Sequence, residues 1–262
     1  YFVKFLREAS LDPEVISIKI TIYRLSKISN VVSSLINAAK NGKKVLVQIE
    51  LQARFDEANN INHAEQLEAA GVKLIFGIQG LKVHSKIGVI EKRVNDKIKR
   101  FGFISTGNFN EDTAKVYTDY TLFTSNRKLL KEVNKVFNFL EVPYKLKKYK
   151  HLIVSPHYSA NTIERLIDNE IKNRLEGKTS GIQLKMNAIT NYKLIDKLYE
   201  ASAAGVPIKM IVRGICCLIP GVKGLSEHIE VVSVVDKFLE HPRVYIFENG
   251  GEPKYYISSA DF

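Results

Sequence analysis

Cysteine is scarce in this chain: Cys216 and Cys217 are the only two, and they are adjacent. Neighbouring thiols suit neither a structural disulfide nor a zinc site, so a reducing, cytoplasmic setting is the expectation. Long apolar runs are missing as well. No stretch of about 18 uncharged apolar residues occurs, which excludes a membrane-spanning helix from these residues. There is no Gly-x-x-x-x-Gly-Lys-Ser/Thr string, which argues against an ordinary P-loop kinase. The opening Tyr1-Phe2-Val3-Lys4 carries no initiator Met and no basic region leading into an apolar signal segment, so a piece of a longer polypeptide is expected. Acidic residues are in short supply too: 28 Asp and Glu face 39 Lys and Arg, a formal charge of +11.

What is present is enough for a substantial core. With 262 residues, 45% apolar and 26% charged, the composition argues against disorder as the main state, and the length suits two ordinary domains or one large one. The surplus of positive charge favours polyanionic partners: nucleic acid, anionic lipid or phosphate-rich small molecules. Composition does not choose among them. The cluster Lys145, Lys147, Lys148 and Lys150 follows Pro143 and reads as a solvated linker.

The chain repeats itself. Three segments run from an amphipathic helix through Gly to an alternating strand: Val31 to Ala39, Gly42 and Val45 to Ile49; Ala64 to Ala70, Gly71 and Val72 to Phe76; Leu194 to Ala204, Gly205 and Ile208 to Val212. Gly just past a helix supplies a left-handed cap, and strands separated by helices imply an α/β fold with a mainly parallel sheet. A longer correspondence lies beneath. Ile18-Lys19-Ile20-Thr21-Ile22 matches Ile182-Gln183-Leu184-Lys185-Met186, Leu81 to Lys86 matches Phe238 to Arg243, and Ser105-Thr106-Gly107-Asn108 matches Ser258-Ser259-Ala260-Asp261. A period of about 160 residues suits a duplicated domain rather than a solenoid. We therefore expect two lobes, 1–151 and 152–262, related by a pseudo-two-fold axis, with the active site in the cleft between them. The first copy continues into a strand around Tyr120 to Thr124 and a helix around Lys128 to Leu140. The second stops at Phe262; either the full-length protein continues beyond it, the favoured expectation, or the copies differ there.

Each copy carries His-x-basic: His84-Ser85-Lys86 and His241-Pro242-Arg243. A lone His is more often structural than catalytic, but two at equivalent repeat positions reverse those odds. Imidazole is a competent nucleophile toward phosphorus, and imidazolium can protonate a departing oxygen. A basic residue two positions along a strand points to the same face and can hold a phosphoryl oxygen. Asn108 and neighbouring amides can complete the cradle. This pattern supports attack by His to give phosphohistidine, followed by transfer to an acceptor.

The pattern resembles the phospholipase D superfamily: His-x-Lys, four residues, Asp, then a Gly/Ser-rich stretch with Asn. Glu91 and Glu248 stand where that Asp would be and Arg243 replaces the second Lys, departures that weigh against a phosphodiesterase. More particular strings look like the polyphosphate kinase family. They are Ile22-Tyr23-Arg24, Glu50 to Glu57 (Glu-Leu-Gln-Ala-Arg-Phe-Asp-Glu), Gly80 to Lys86, Thr106 to Asn110, Thr113 to Asp119, Ile211 to Cys217 and Phe238 to Arg243. They run in order along the whole chain and correspond to the two C-terminal catalytic domains of that family, trimmed at both ends.

The resemblance implies two phospholipase D-like α/β/α domains and reversible transfer of the terminal phosphoryl of ATP to inorganic polyphosphate. It puts His84 in the place of the phosphorylated histidine and His241 in that of a second active-site histidine, which would contact nucleotide phosphates and could protonate the leaving group. Tyr117 and Arg213 match nucleotide-contacting positions, with Lys86, Asn108 and Arg243 beside them on the phosphates. Arg24 and Arg54 match positions associated with Mg²⁺. Guanidinium has no lone pair to offer a metal, so both are read as gripping phosphate oxygens that also carry the ion. The resemblance further implies ATP or ADP as substrate, missing N-terminal and head domains as partners, a homo-oligomer in full length, no nucleic-acid partner, and a cytoplasmic place peripheral to the inner membrane. Other readings stay open: a phospholipase D-type phosphodiesterase or nuclease, or a polyanion-binding fragment without activity. Arg24 reads alternatively as a strand-end surface charge, Arg54 as a partner of Asp56 and Glu57, and Tyr117 as a half-buried strand aromatic. Cys216 and Cys217 read as packing residues. Asn249-Gly250-Gly251 reads as a hairpin or loop signal.

Overall fold

The computed structural model describes residues 1–51, 53, 57–144 and 147–262. Arg54, among the expected phosphate-gripping residues, lies outside them, as does Lys145 of the basic cluster. The chain divides into two compact units: Tyr1–Lys115 with Thr121–Leu152, and Val116–Tyr120 with Ile153–Phe262. The short excursion Val116–Tyr120 belongs with the second unit although it interrupts the first, an arrangement that a single cut near residue 151 does not anticipate.

The first unit runs α1 (Phe2–Leu11), β1 (Val15–Ile22), α2 (Asn30–Lys40), β2 (Lys44–Ile49), α3 (Glu57–Ala69), β3 (Lys73–Phe76), β4 (Ile87–Val94) and β5 (Lys97–Ser105). After β6 (Tyr117–Thr118), which the second unit claims, it resumes with β7 (Thr121–Thr124) and α4 (Arg127–Glu141). Its sheet has the order β3-β2-β1-β4-β5-β7. The three strands joined by helices are parallel, and the three added beyond β1 are antiparallel. Ile18, Ile20 and Ile22 pack with Leu6, Val31, Leu35 and Leu67 in one core. Side chains alternate along a strand, so Lys19 faces the other way, where its Nζ reaches Asn134 of α4 at 2.7 Å. Helices therefore cover both faces.

The second unit repeats this plan with α5 (Ser159–Leu175), β8 (Ile182–Met186), α6 (Tyr192–Ala203), β9 (Ile208–Val212), β10 (Ile229–Val232), β12 (Arg243–Phe247) and β13 (Lys254–Ser258), while β11 (Leu239–Glu240) pairs in parallel with β6. The sheet order is β10-β9-β8-β12-β13. Position by position it matches β3-β2-β1-β4-β5, including the switch from parallel to antiparallel pairing at the fourth strand. The duplication read from the sequence is thus a duplication of sheets. The helix caps repeat too: Gly42 and Gly205 sit at φ +76° and +83°, the left-handed region that a side chain disfavours.

One expectation is corrected. The sheets are mixed, not mainly parallel. After β3 and β10 the chain no longer returns through a helix; β4 turns directly into β5 through Asn95 and Asp96, both at positive φ, with Val94 paired to Lys97. That two-residue loop is the primed turn whose twist suits a hairpin. The Asn249–Gly251 segment joins antiparallel β12 and β13, in line with its reading as a hairpin signal.

Candidate active site

In the first unit the chemistry-bearing residues gather at one edge of the sheet. Tyr23 and Arg24 follow β1, Glu50 follows β2, His84 to Lys86 precede the antiparallel β4, and Ser105 to Asn108 leave β5. The His84 segment is held by its backbone. Glu50, buried, accepts the Val83 N–H with Oε2 at 3.1 Å. Thr21 Oγ1 donates to the Ser85 carbonyl at 2.7 Å and accepts from the Ile87 N–H at 3.0 Å. Lys86, 1% exposed, donates from Nζ to the His84 carbonyl at 2.5 Å. The half-buried His84 ring stands edge-on to Tyr23, with centroids 4.7 Å apart. Tyr23 also collects cations: Lys86 Nζ lies 5.0 Å and Arg24 Cζ 5.5 Å from its centroid. Asn108 is half-buried, and its Oδ1 is buried with no hydrogen-bond partner among the described residues.

The second unit holds its histidine by the ring. Parallel pairing of β6 with β11 sets Tyr117 against Leu239 and Thr118 against Glu240, and so carries Asp119 to His241. Asp119 lies 2.9 and 3.1 Å from His241 Nδ1 through its two oxygens. On the other side Arg243 Nη1 is 3.1 Å from Nε2 and donates to the His241 carbonyl at 3.0 Å. A guanidinium only donates, so Nε2 is the acceptor and the ring proton sits on Nδ1, facing Asp119. Arg243 is itself buried and clamped by Asp261, Nε to Oδ1 at 3.1 Å and Nη2 to Oδ2 at 2.9 Å. Behind them the Tyr245 hydroxyl donates to the Ala260 carbonyl at 2.6 Å, and burial pushes its pKa up, keeping it a donor. Tyr117 places its ring 5.0 Å from that of His241. Arg213 follows β9, half-buried; among the described residues its guanidinium has no ion-pair or hydrogen-bond partner.

Tested as direct metal ligands, these residues do not fit. Arg24 offers no lone pair, and no group of three or more His, Cys, Asp or Glu among the described residues could hold an ion. Glu91 and Glu248 leave the site as well. Glu91 accepts from Arg100 Nε at 2.8 Å and from Ser17 Oγ at 3.0 Å part-way along the strands, and Glu248 stands past the far end of β12. Cys216 and Cys217 are exposed rather than packed, correcting that expectation.

Residues 1–146 match the family described as polyphosphate kinase C-terminal domain 1, and residues 152–262 match polyphosphate kinase C-terminal domain 2. The chain belongs to the polyphosphate kinase family. It is 50% identical over all 262 residues to a polyphosphate kinase of Escherichia coli K12, of which it covers 38%, and 51% identical over 259 residues to that of Vibrio parahaemolyticus, of which it covers 37%. A crystal structure of polyphosphate kinase from Porphyromonas gingivalis superimposes with a TM-score of 0.91 at 41% identity, covering 100% of this chain and 44% of that one. The chain thus spans less than half the length of these family members.

Sequence reasoning brought out His84, Lys86, Asn108, Arg24, His241, Arg243, Tyr117 and Arg213, and the structure sets the first four at the edge of one sheet and the last four around the other. It missed Asp119, Asp261 and Glu50. Asp119 stood inside a family string with no partner visible in sequence. Asp261 was legible as the repeat counterpart of Asn108, yet nothing in its neighbours names Arg243 as its ion pair.

Proposed function

We propose that this chain carries the phosphoryl-transfer chemistry of polyphosphate kinase, moving the terminal phosphoryl of ATP to inorganic polyphosphate through phosphorylated His84. The observation behind this reading is the repeated His-x-basic pair, set at equivalent edges of two duplicated sheets in a chain of this family. An imidazole nitrogen of His84 attacks the γ-phosphorus, the bond to the bridging oxygen breaks, and ADP leaves with that electron pair. A terminal oxygen of the polyphosphate chain then attacks the same phosphorus, breaking P–N and returning neutral His84. Arg213, Arg243, Lys86 and Arg24 offset charge on the phosphoryl oxygens, Asn108 and Tyr117 help seat the nucleotide, and Arg54 joins them by family resemblance. An anion drawing Arg243 Nη1 away would free His241 Nε2 to carry a proton to the leaving oxygen, with Asp119 balancing the charge. Mg²⁺ would arrive on the nucleotide's phosphates rather than in a protein cage.

The test is transfer of label from γ-labelled ATP in the full-length protein. Acid-labile, base-stable label is expected on the wild type and none on His84→Ala. Undiminished label in the variant would assign the nucleophile elsewhere, and cleavage of a phosphodiester without nucleotide would favour phospholipase D-type chemistry.

A further inference from the structure

The strand ends of the duplicated sheets can be compared position by position. Ile22 pairs with Ile49 at the end of β1 and β2, and Met186 pairs with Val212 at the end of β8 and β9. The next residues are therefore equivalent: Tyr23 with Asn187, and Glu50 with Arg213. At one position the second unit carries a base in the candidate phosphate site, while the first carries a buried acid. An acid there is ill suited to a phosphate, and burying a carboxylate costs several kcal/mol unless hydrogen bonds repay it.

Glu50 reaches a backbone amide. Its Oε2 takes the N–H of Val83, the residue before His84, at 3.1 Å. Its own carbonyl is fixed by Asn60 of α3, fully buried, whose Nδ2 donates to the Glu50 carbonyl at 2.8 Å and to the Tyr23 carbonyl at 2.9 Å. Asn60 thereby ties together the ends of β1 and β2, Tyr23 supports the His84 ring edge-on, and Glu50 reaches across to the approaching loop. With Thr21 on Ser85 and Lys86 on His84, three successive residues are held by side chains reaching their backbone.

We infer that Glu50 is a positioning residue for His84: it fixes the approach of the imidazole to the phosphorus through the Val83 amide and does not touch substrate. This rests on the reading of His84 as the nucleophile. Glu50 also borders a cleft of about 510 Å³ with Leu51, Phe76 and Lys82, so the competing role is a charge acting directly on a ligand there.

Two conservative variants in the full-length protein separate these roles. Glu50→Gln keeps the length and an acceptor oxygen but loses the charge; Glu50→Asp keeps the charge but falls a methylene short of Val83. Positioning predicts that Glu50→Asp slows single-turnover labelling of His84 by about 10- to 100-fold, the order expected for an ångström-scale misplacement. The ATP concentration giving half-maximal rate should stay unchanged, and Glu50→Gln should label close to the wild-type rate. The reverse order, with Gln slow and Asp normal, or a loss confined to ATP affinity, would overturn the inference. So would equal labelling by all three proteins. Wild-type protein that takes no label on His84 would instead overturn the functional reading, so the two failures are distinguishable. Circular dichroism and thermal unfolding of both variants ensure that rates are compared between folded proteins.

Discussion

The two histidines sit at equivalent places in two copies of one sheet and are held in opposite ways. Around His84 the bonds run to the backbone: Val83 to Glu50, Ser85 to Thr21, and the His84 carbonyl to Lys86. Around His241 they run to the ring, Asp119 on Nδ1 and Arg243 on Nε2. The exchanged residues follow suit: Lys86 and Asn108 in one copy are Arg243 and Asp261 in the other, where they form a bidentate ion pair. A nucleophile needs its loop fixed and its lone pair usable. A group that meets charged phosphates needs its tautomer fixed and its charge balanced. Duplication supplied one frame, and in the proposed mechanism substitution at a handful of strand-end positions divides those two tasks.

The comparison breaks first at the histidines. If His84 is the nucleophile and His241 assists, His241→Ala should still label His84 but slow both labelling and turnover by about 10²- to 10⁴-fold, the usual worth of acid–base help. Asp119→Asn should follow in the same direction with a smaller loss of about 10- to 100-fold, since it disturbs orientation rather than removing the ring. Rapid-quench labelling and steady-state polyphosphate synthesis in full-length protein check both. Complete loss of label in His241→Ala would mean that the roles of the two units are not divided as proposed.

The next smaller effect separates two arginines of the second unit. Arg213→Lys should slow synthesis by one to two decades, because a charge-assisted hydrogen bond of about 1.5–3 kcal/mol is lost where the fork matters, with melting unchanged. Arg243→Lys should slow synthesis and also lower the melting temperature, by roughly 1–2 kcal/mol of stability, because its fork on Asp261 is part of the buried structure. Equal melting of the two variants would show that the Asp261 clamp contributes little to folding.

How much of this was legible in the sequence depends on the range of the interaction. Helix–Gly–strand periodicity is local and located units in both halves; the correspondence of longer segments revealed the duplication, and β7 and α4 were read as the continuation of the first copy. The hairpin of β4 and β5 was also written locally, in Asn95-Asp96, but the helical spacing of the preceding strands suggested continued parallel pairing and the turn went unread. Lys86, Arg243 and Asn108 were found because they lie close to a motif histidine or recur in the repeat. Asp119 lies 122 residues from His241, and Glu50 33 residues from Val83. Nothing in the chemistry of either neighbourhood announces such a partner. Glu50 looked like one more charge in a charged string, and only its burial reveals the work it does.

The smallest expected effect is on stability alone, and it concerns α4, for which the described residues of the second unit offer no counterpart. Glu132 is buried on that helix, and its carboxylate gathers the strap that follows: it accepts the N–H groups of Lys150 at 2.8 Å, His151 at 2.8 Å and Leu152 at 2.9 Å. Burial works to raise its pKa, but the three amide donors, helped by His151, outweigh it and hold the carboxyl below the ordinary glutamate value of 4.5. A folded pKa lower than the unfolded one gives stability that is fully present above the unfolded value and disappears as pH falls through the folded value. Glu132 should therefore stabilise the protein undiminished at neutral pH and lose that contribution progressively below 4.5. Glu132→Gln replaces a charged acceptor by a neutral one, which should cost about 1 kcal/mol at neutral pH and leave labelling of His84 intact. Its unfolding free energy should fall less steeply than that of the wild type on acidification, so the two curves converge. Urea unfolding at a series of pH values reads this directly. Parallel curves would mean that the strap is held by something other than the ionised carboxylate.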